Sequence, residues 1–245
     1  MAVTIELTSA SSDLVGFLNG WASGFSSTYG AFWDQGVGLV TNPVIGTTYE
    51  GWGNGSTGGK GIYFEGSVQY SQGNLTGTVD SIALGTGYSQ SSSGFSLAQE
   101  ELLITPDSAF PSATTDAFDL AIYQLSRFGS LTGFYDYFAA TGTVLEDTAS
   151  SDTLTGFAGA DTFVFSGGND IVTAGPTGTY GYQDGVDKLD ISAWGATSLG
   201  DLTIVDAAGD AYVVYGSDSI QLVGVSSSVL DASDFIFASA TALAA

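Results

Sequence analysis

Residues 2–8 alternate. Val3, Ile5 and Leu7 fall on one side and Thr4, Glu6 and Thr8 on the other, the period-two pattern of a half-buried strand. Ser11-Ser12-Asp13 then offers an N-cap to an apolar series, Leu14, Val15, Leu18, Trp21, Ala22 and Phe25, at helical spacing. Gly16, Gly20 and Gly24 fall four apart, a smooth stripe that predicts close approach of a sheet or another backbone. Residues 30–100 read as short strands broken by Gly, Ser and Asn, among them TTYEGW, GIYFEGSVQYS and NLTGTVDSIALG. Several alternate, as expected of antiparallel strands with one wet face. Gly51–Gly61 (GWGNGSTGGKG) reads as a flexible loop. Thr115-Asp116 caps a helix through Phe118–Leu125, and a second short helix follows Ser130. Residues 141–151 form a small polar hinge. Beyond it come three strand-like runs, LTIVD, AYVVYG and SIQLVGV, then VLDASDFIF and a small-residue tail.

This pattern gives an α+β N-terminal domain over 1–146, an antiparallel sheet backed by helices. A β-rich C-terminal domain follows over 147–245. Apolar residues are 44% of the 245, enough for packed cores.

Charge narrows the partners. Lys60, Arg127 and Lys188 stand against 26 acidic groups, a formal net charge of −23. Such a surface repels nucleic acid and anionic lipid and attracts divalent cations. No apolar run reaches the ~18–20 residues of a membrane-spanning helix, so membrane insertion is not expected. The start, MAVTIELTSASSD, has neither a basic n-region nor an apolar h-region and is not a Sec signal peptide. Histidine and cysteine are both absent, which removes the usual general base and thiol nucleophile. The adjacent acids Glu100-Glu101 and the pair Asp116 and Asp119 read as solvated carboxylates. Gly51–Gly61 lacks P-loop spacing, and no G-x-S-x-G elbow appears. The chain is not expected to be an enzyme.

The informative chemistry lies in SSDTLTGFAGADTFVFSGGNDIV. Asp152, Asp161 and Asp170 recur every nine residues, each with an apolar residue two positions on (Leu154, Phe163, Val172), and Gly159 and Gly168 precede two of them. The pattern is similar to the nonapeptide G-G-x-G-x-D-x-U-x of the parallel β-roll. Glycines permit the tight turn. The turn collects carbonyl and carboxylate oxygens, which are the ligands calcium selects. Each nonapeptide makes half a coil, so Asp152 and Asp170 should face one Ca2+ together and Asp161 should sit on the opposite edge. A set of Gly/Asp-rich hairpin turns without metal is the alternative.

GADTFVF, GGNDIV, QDGVDKLDIS (183–192) and the terminal LDASDFIF (230–237) together resemble the RTX and secretion region of type I export substrates. The resemblance implies calcium-coupled folding outside the cell and an uncleaved C-terminal signal read by an ABC exporter. It also makes Asp184, Asp187 and Asp190 further ligand candidates. For Asp184 and Asp190, solvated turn carboxylates are an equal reading. The N-terminal part is similar to HasA-type hemophores through DLVGFLNGWASGFSSTYG (13–30), YEGWGNGS (49–56), QGNLTGTVDSIALGTG (72–87) and FDLAIYQL (118–125). That likeness implies the α+β fold. The hemophore His ligand has no counterpart, leaving Tyr29 or Tyr70 as a lone phenolate ligand if haem binds at all; a sheet tyrosine is the plainer reading.

The function these features predict is a secreted calcium-binding extracellular structural protein that self-assembles into a filament, surface layer or biofilm matrix. Its partner would be itself, by addition of the exposed-looking strand Val3–Thr8 to a neighbour's sheet edge. A hemophore-like haem-binding module is the alternative.

Overall fold

The computed structural model describes residues 2–71, 74–106, 117–176 and 178–239. The chain divides into two compact units. One comprises Leu18–Ala140 with Val3; the other comprises Thr4–Phe17 and Thr141–Ala245. In chain order the elements are β1 (Val3–Leu7), α1 (Leu14–Ser23), β2 (Ala31–Asp34), β3 (Gly38–Val40), β4 (Thr48–Gly55), β5 (Lys60–Ser71), β6 (Asn74–Thr86), β7 (Ser89–Ser91), β8 (Gly94–Ser96) and β9 (Gln99–Thr105). Then follow α2 (Ala117–Phe128), α3 (Thr132–Thr141), β10 (Thr143–Glu146), β11 (Thr153–Leu154), β12 (Asp161–Val164), β13 (Asn169–Val172) and β14 (Lys188–Asp190). The last strands are β15 (Thr203–Ala207), β16 (Asp210–Tyr215), β17 (Asp218–Leu222) and β18 (Phe235–Ile236).

The first unit is an antiparallel sheet in the order β9-β6-β5-β4-β2-β3. Helices α2 and α3 cover it through aromatic contacts. The Phe118 ring lies 6.0 Å from Phe64 of β5 and 5.3 Å from Tyr137 of α3. The cap expected at Thr115-Asp116 lies outside the described residues.

The expected loop at 51–61 is mostly strand, because β4 runs to Gly55 and β5 begins at Lys60. Its glycines serve ring packing. A Cβ on Gly53 would stand 2.5 Å from the Phe95 ring, and one on Gly61 would stand 2.4 Å from the Tyr88 ring. Those two rings belong to the hairpin region that folds over the sheet, so bare backbone is what admits them.

Helix α1 begins where expected. The Asp13 carboxylate accepts a hydrogen bond from Gly16 N at 2.9 Å, an N-cap. The glycine stripe does not admit a backbone: a Cβ on Gly20 meets nothing within 4 Å, and one on Gly24 meets the Lys60 amino group. Lys60 Nζ donates to Gly20 O, so a cation meets the carboxyl end of the helix, where the helix dipole favours it.

The second unit is a solenoid of parallel rungs. One sheet orders β18-β14-β12-β10-β1 and the other β11-β13-β17-β16-β15. Thr143 pairs with Asp161 and Thr153 with Ile171, so the first full coil is eighteen residues, twice the nonapeptide. The inward residues Leu145, Leu154, Phe163, Val172 and Leu189 are fully buried. Later coils carry insertions: Thr162 pairs with Lys188 and Ile171 with Gln221. The three predicted C-terminal strands extend the second sheet as an antiparallel meander joined to the parallel rungs through β13–β17. The DFIF segment supplies β18, the last rung of the first sheet. Strand β1 is not the exposed strand expected: it lies beside β10, with Ile5 and Leu7 buried.

Candidate metal centre

The centre forms where the chain passes from one sheet of the solenoid to the other. On one coil β10 ends at Glu146, Asp147 opens a turn, and Asp152 closes it before β11. One coil later, Ser166-Gly167-Gly168 makes the corresponding turn between β12 and β13, where Asp170 sits. The turns stack because Gly168 has φ +109°; a Cβ there would lie 2.3 Å from Ser150 O. No side chain fits that approach.

Stacking brings Asp147, Asp152 and Asp170 together. All three are buried, and one carboxylate oxygen from each lies within 4.8 Å of the others. Each spends one oxygen on the turns. Ser166 N donates to Asp147 Oδ1 at 2.7 Å, and Asp152 N to Asp170 Oδ1 at 2.9 Å. Thr148 donates to Asp152 Oδ2 from N at 3.0 Å and from Oγ1 at 2.7 Å. The other oxygens, Asp147 Oδ2, Asp152 Oδ1 and Asp170 Oδ2, are buried with no hydrogen-bond partner. A buried carboxylate oxygen without a partner costs a large desolvation penalty. Three clustered carboxylates, each with an oxygen to spare, are ligands of the kind a hard cation takes.

The electrostatics agree. Burial, with the charge of Asp152 adding to it, pushes the Asp147 carboxyl up to about 7. Burial does the same to Asp170, raised to about 7, with Asp147, Asp152 and Asp218 contributing repulsion. The basic side chains make their contacts elsewhere. Lys60 is on Gly20 O, Arg127 lies 5.6 Å from the centroid of the Tyr29 ring, and Lys188 Nζ donates to Ser233 O at 2.6 Å.

Sequence spacing paired Asp152 with Asp170, and the structure brings them together. It missed Asp147. That residue stands five before Asp152, at the first position of a nonapeptide where the motif has glycine. The glycine positions of the first turn hold Asp147, Thr148 and Ser150. An acid opening a glycine-poor turn was the available signal.

Asp161 lies on the opposite edge, and its neighbour there is Asp187. Asp161 Oδ1 accepts from Thr143 N at 3.0 Å and Thr143 Oγ1 at 2.6 Å, and Oδ2 accepts from Phe157 N at 2.6 Å. Asp187 Oδ1 accepts from Asp161 N at 3.0 Å, and Oδ2 from Gln183 N at 2.8 Å. Burial raises both carboxyls, Asp187 to about 6. All four oxygens are hydrogen-bonded, so this pair ties rungs together and, unlike the first edge, leaves no carboxylate oxygen without a partner. Asp184 is exposed in its turn, and Asp190 accepts from Ser192 N at 3.0 Å. Gly159 is half-buried in the bend before Asp161. Tyr29 is 71% exposed beneath the Arg127 guanidinium. Tyr70 is half-buried in β5, its ring 5.4 Å from Phe32.

No described helix is long and apolar enough to cross a membrane. No curated protein matches the chain in sequence. Among solved structures, the holo hemophore HasA from Yersinia pestis is similar at a TM-score of 0.46 and 17% identity, covering 58% of this chain and 90% of the hemophore. A hexagonal apo form of the same hemophore gives a TM-score of 0.42 at 16% identity, covering 60% and 93%. Residues 141–172 match the family model of the RTX calcium-binding nonapeptide repeat (4 copies). That stretch contains Asp147, Asp152 and Asp170, so the coil that presents the three unpartnered oxygens is built of RTX nonapeptide repeats, and the ion such repeats bind is calcium.

Proposed function

We propose that this chain is an exported extracellular structural protein, folded by calcium and associating with copies of itself. The observation that carries the calcium step is a buried cluster of three carboxylates, Asp147, Asp152 and Asp170, each of which keeps one oxygen without a hydrogen-bond partner. Without a cation their mutual repulsion and desolvation oppose stacking of the first two coils. With calcium the same charges hold the coils together. Extracellular calcium modules bind at about 10⁻⁴–10⁻³ M, so a site of this kind stays open in the cytosol and closes outside. Export through a type I ABC exporter fits that sequence of events.

Self-association rests on the first unit. Strand β3 ends its sheet, and Val37, Val44 and Ile45 are exposed in the turns on either side of it. Exposed apolar side chains beside a sheet edge favour association. Addition of the N-terminal strand to a neighbour would require β1 to leave its own sheet. The absence of histidine and cysteine supports a non-catalytic role.

Isothermal titration with calcium, paired with negative-stain microscopy in calcium and in EGTA, tests both parts. Calcium binding with ordered assemblies supports the proposal; monodisperse monomers in both conditions would remove the assembly part. A Soret band on adding haem, lost in Tyr29→Phe or Tyr70→Phe, would instead favour the hemophore-like alternative.

A further inference from the structure

The N-terminal segment supplies a rung of the solenoid far from it in sequence. Strand β1 lies beside β10 in the first sheet. The chain then turns at Thr8–Ser11, where Ser11 N donates to Thr8 O at 3.0 Å. It next reaches the second sheet, where Asp13 bridges Thr153 in parallel and Ser12 O accepts from Thr153 N at 2.6 Å. Strand, turn and strand contact thus run along the coil that starts at β10, from one sheet to the other.

The turn chemistry is a neutral version of the metal turn beside it. Thr8 N donates to Ser11 Oγ at 2.8 Å, as Thr148 N donates to the carboxylate of Asp152. Ser11 is fully buried, and a hydroxyl in that place adds no charge to the centre. Solenoids need terminal rungs of atypical sequence to cover the first coil, because an open rung exposes a row of unpaired backbone groups.

The contact point makes this rung dependent on the metal centre. Thr153, whose N–H holds Ser12, directly follows Asp152 in the chain. Asp152 N donates to Asp170 Oδ1 at 2.9 Å and Asp152 O accepts from Ile171 N at 2.9 Å, so the peptide whose N–H holds Ser12 is itself tied to the next coil.

We propose that residues 4–13 are the N-terminal cap of the calcium-binding solenoid and that they dock only when calcium has closed the Asp147–Asp152–Asp170 centre. The inference rests on the calcium reading above. It makes calcium the control on whether residues 4–13 pair with the first coil.

Hydrogen exchange on the full-length protein, in millimolar calcium and in EGTA, reads the cap directly. Residues 4–13 should exchange at least ~10-fold faster in EGTA, with the same calcium midpoint as residues 143–172. Asp152→Asn should leave 4–13 unprotected at calcium concentrations that protect them in the unaltered chain. If 4–13 stay protected in EGTA while 143–172 lose protection, or are unprotected in both conditions, the cap is not calcium-controlled and the proposal falls while calcium binding stands. If neither segment responds and titration detects no calcium binding, the calcium reading falls and takes the proposal with it.

Discussion

Asp147→Asn separates a ligand from a structural cap, because the two roles give opposite signs. The folded carboxyl is pushed up to about 7 from 3.8. Keeping it ionised at pH 8 therefore costs about 4 kcal/mol at ~1.36 kcal/mol per unit. Solvent screening in a partly open turn reduces this to about 2 kcal/mol. Asparagine keeps an oxygen for Ser166 N and removes the charge. In EGTA at pH 8 the variant should be more stable by about 1–2 kcal/mol, a urea midpoint higher by roughly 0.5–1 M. In calcium it should be weaker, with affinity lower by at least about tenfold, since ligand charge count sets affinity at such sites. Urea unfolding in both conditions plus a calcium titration gives all three numbers. A variant less stable in EGTA with unchanged calcium affinity would refute the reasoning, leaving Asp147 as a cap on Ser166.

Other consequences are equally direct. The raised carboxyls of Asp147 and Asp170 (both to about 7) mean the folded state binds more protons than the unfolded chain between about pH 4 and 7. In EGTA, stability should therefore fall as pH rises through that window, because the sign follows the proton difference. Calcium affinity should rise over the same window as protons leave the ligands; a flat profile from pH 5 to 8 would contradict it. Asp161→Asn should lower stability by about 1–3 kcal/mol, the cost of disrupting a buried hydrogen-bond set, to the same extent with calcium or EGTA, whereas Asp170→Asn should act mainly through calcium affinity. Gly168→Ala should impair calcium binding and solenoid stability together, measured by titration and thermal melts, because its Cβ would collide with Ser150 O.

Much of the solenoid was legible because its period is a property of the sequence. Aspartates nine apart became rungs eighteen apart in register, and LTIVD, AYVVYG and SIQLVGV became strands. Pairs between distant segments were not legible. Nothing in Val3–Leu7 says that it lies beside β10, and nothing in Ser12-Asp13 names Thr153 as partner. Alternation records that a strand is half-buried and is silent on its neighbour. The loop read from GWGNGSTGGKG failed for a related reason: glycine marks close approach as well as flexibility, and the rings that approach come from Tyr88 and Phe95. At the centre, Asp152 and Asp170 followed from spacing, while Asp147 sits outside the aspartate phase of the repeat. Asp161 and Asp187 carry the same residue type, yet their oxygens are taken by Thr143, Phe157, Gln183 and the Asp161 amide. Only coordinates distinguish a bonded carboxylate from a waiting one.

The most direct test of the central claim is a crystal structure grown in calcium, with anomalous difference density calculated around the first two coils. An ion bound by Asp147 Oδ2, Asp152 Oδ1 and Asp170 Oδ2, with none between Asp161 and Asp187, is the predicted result. Density absent from the first edge, with those three carboxylates turned to solvent or hydrogen-bonded to protein, would contradict the account.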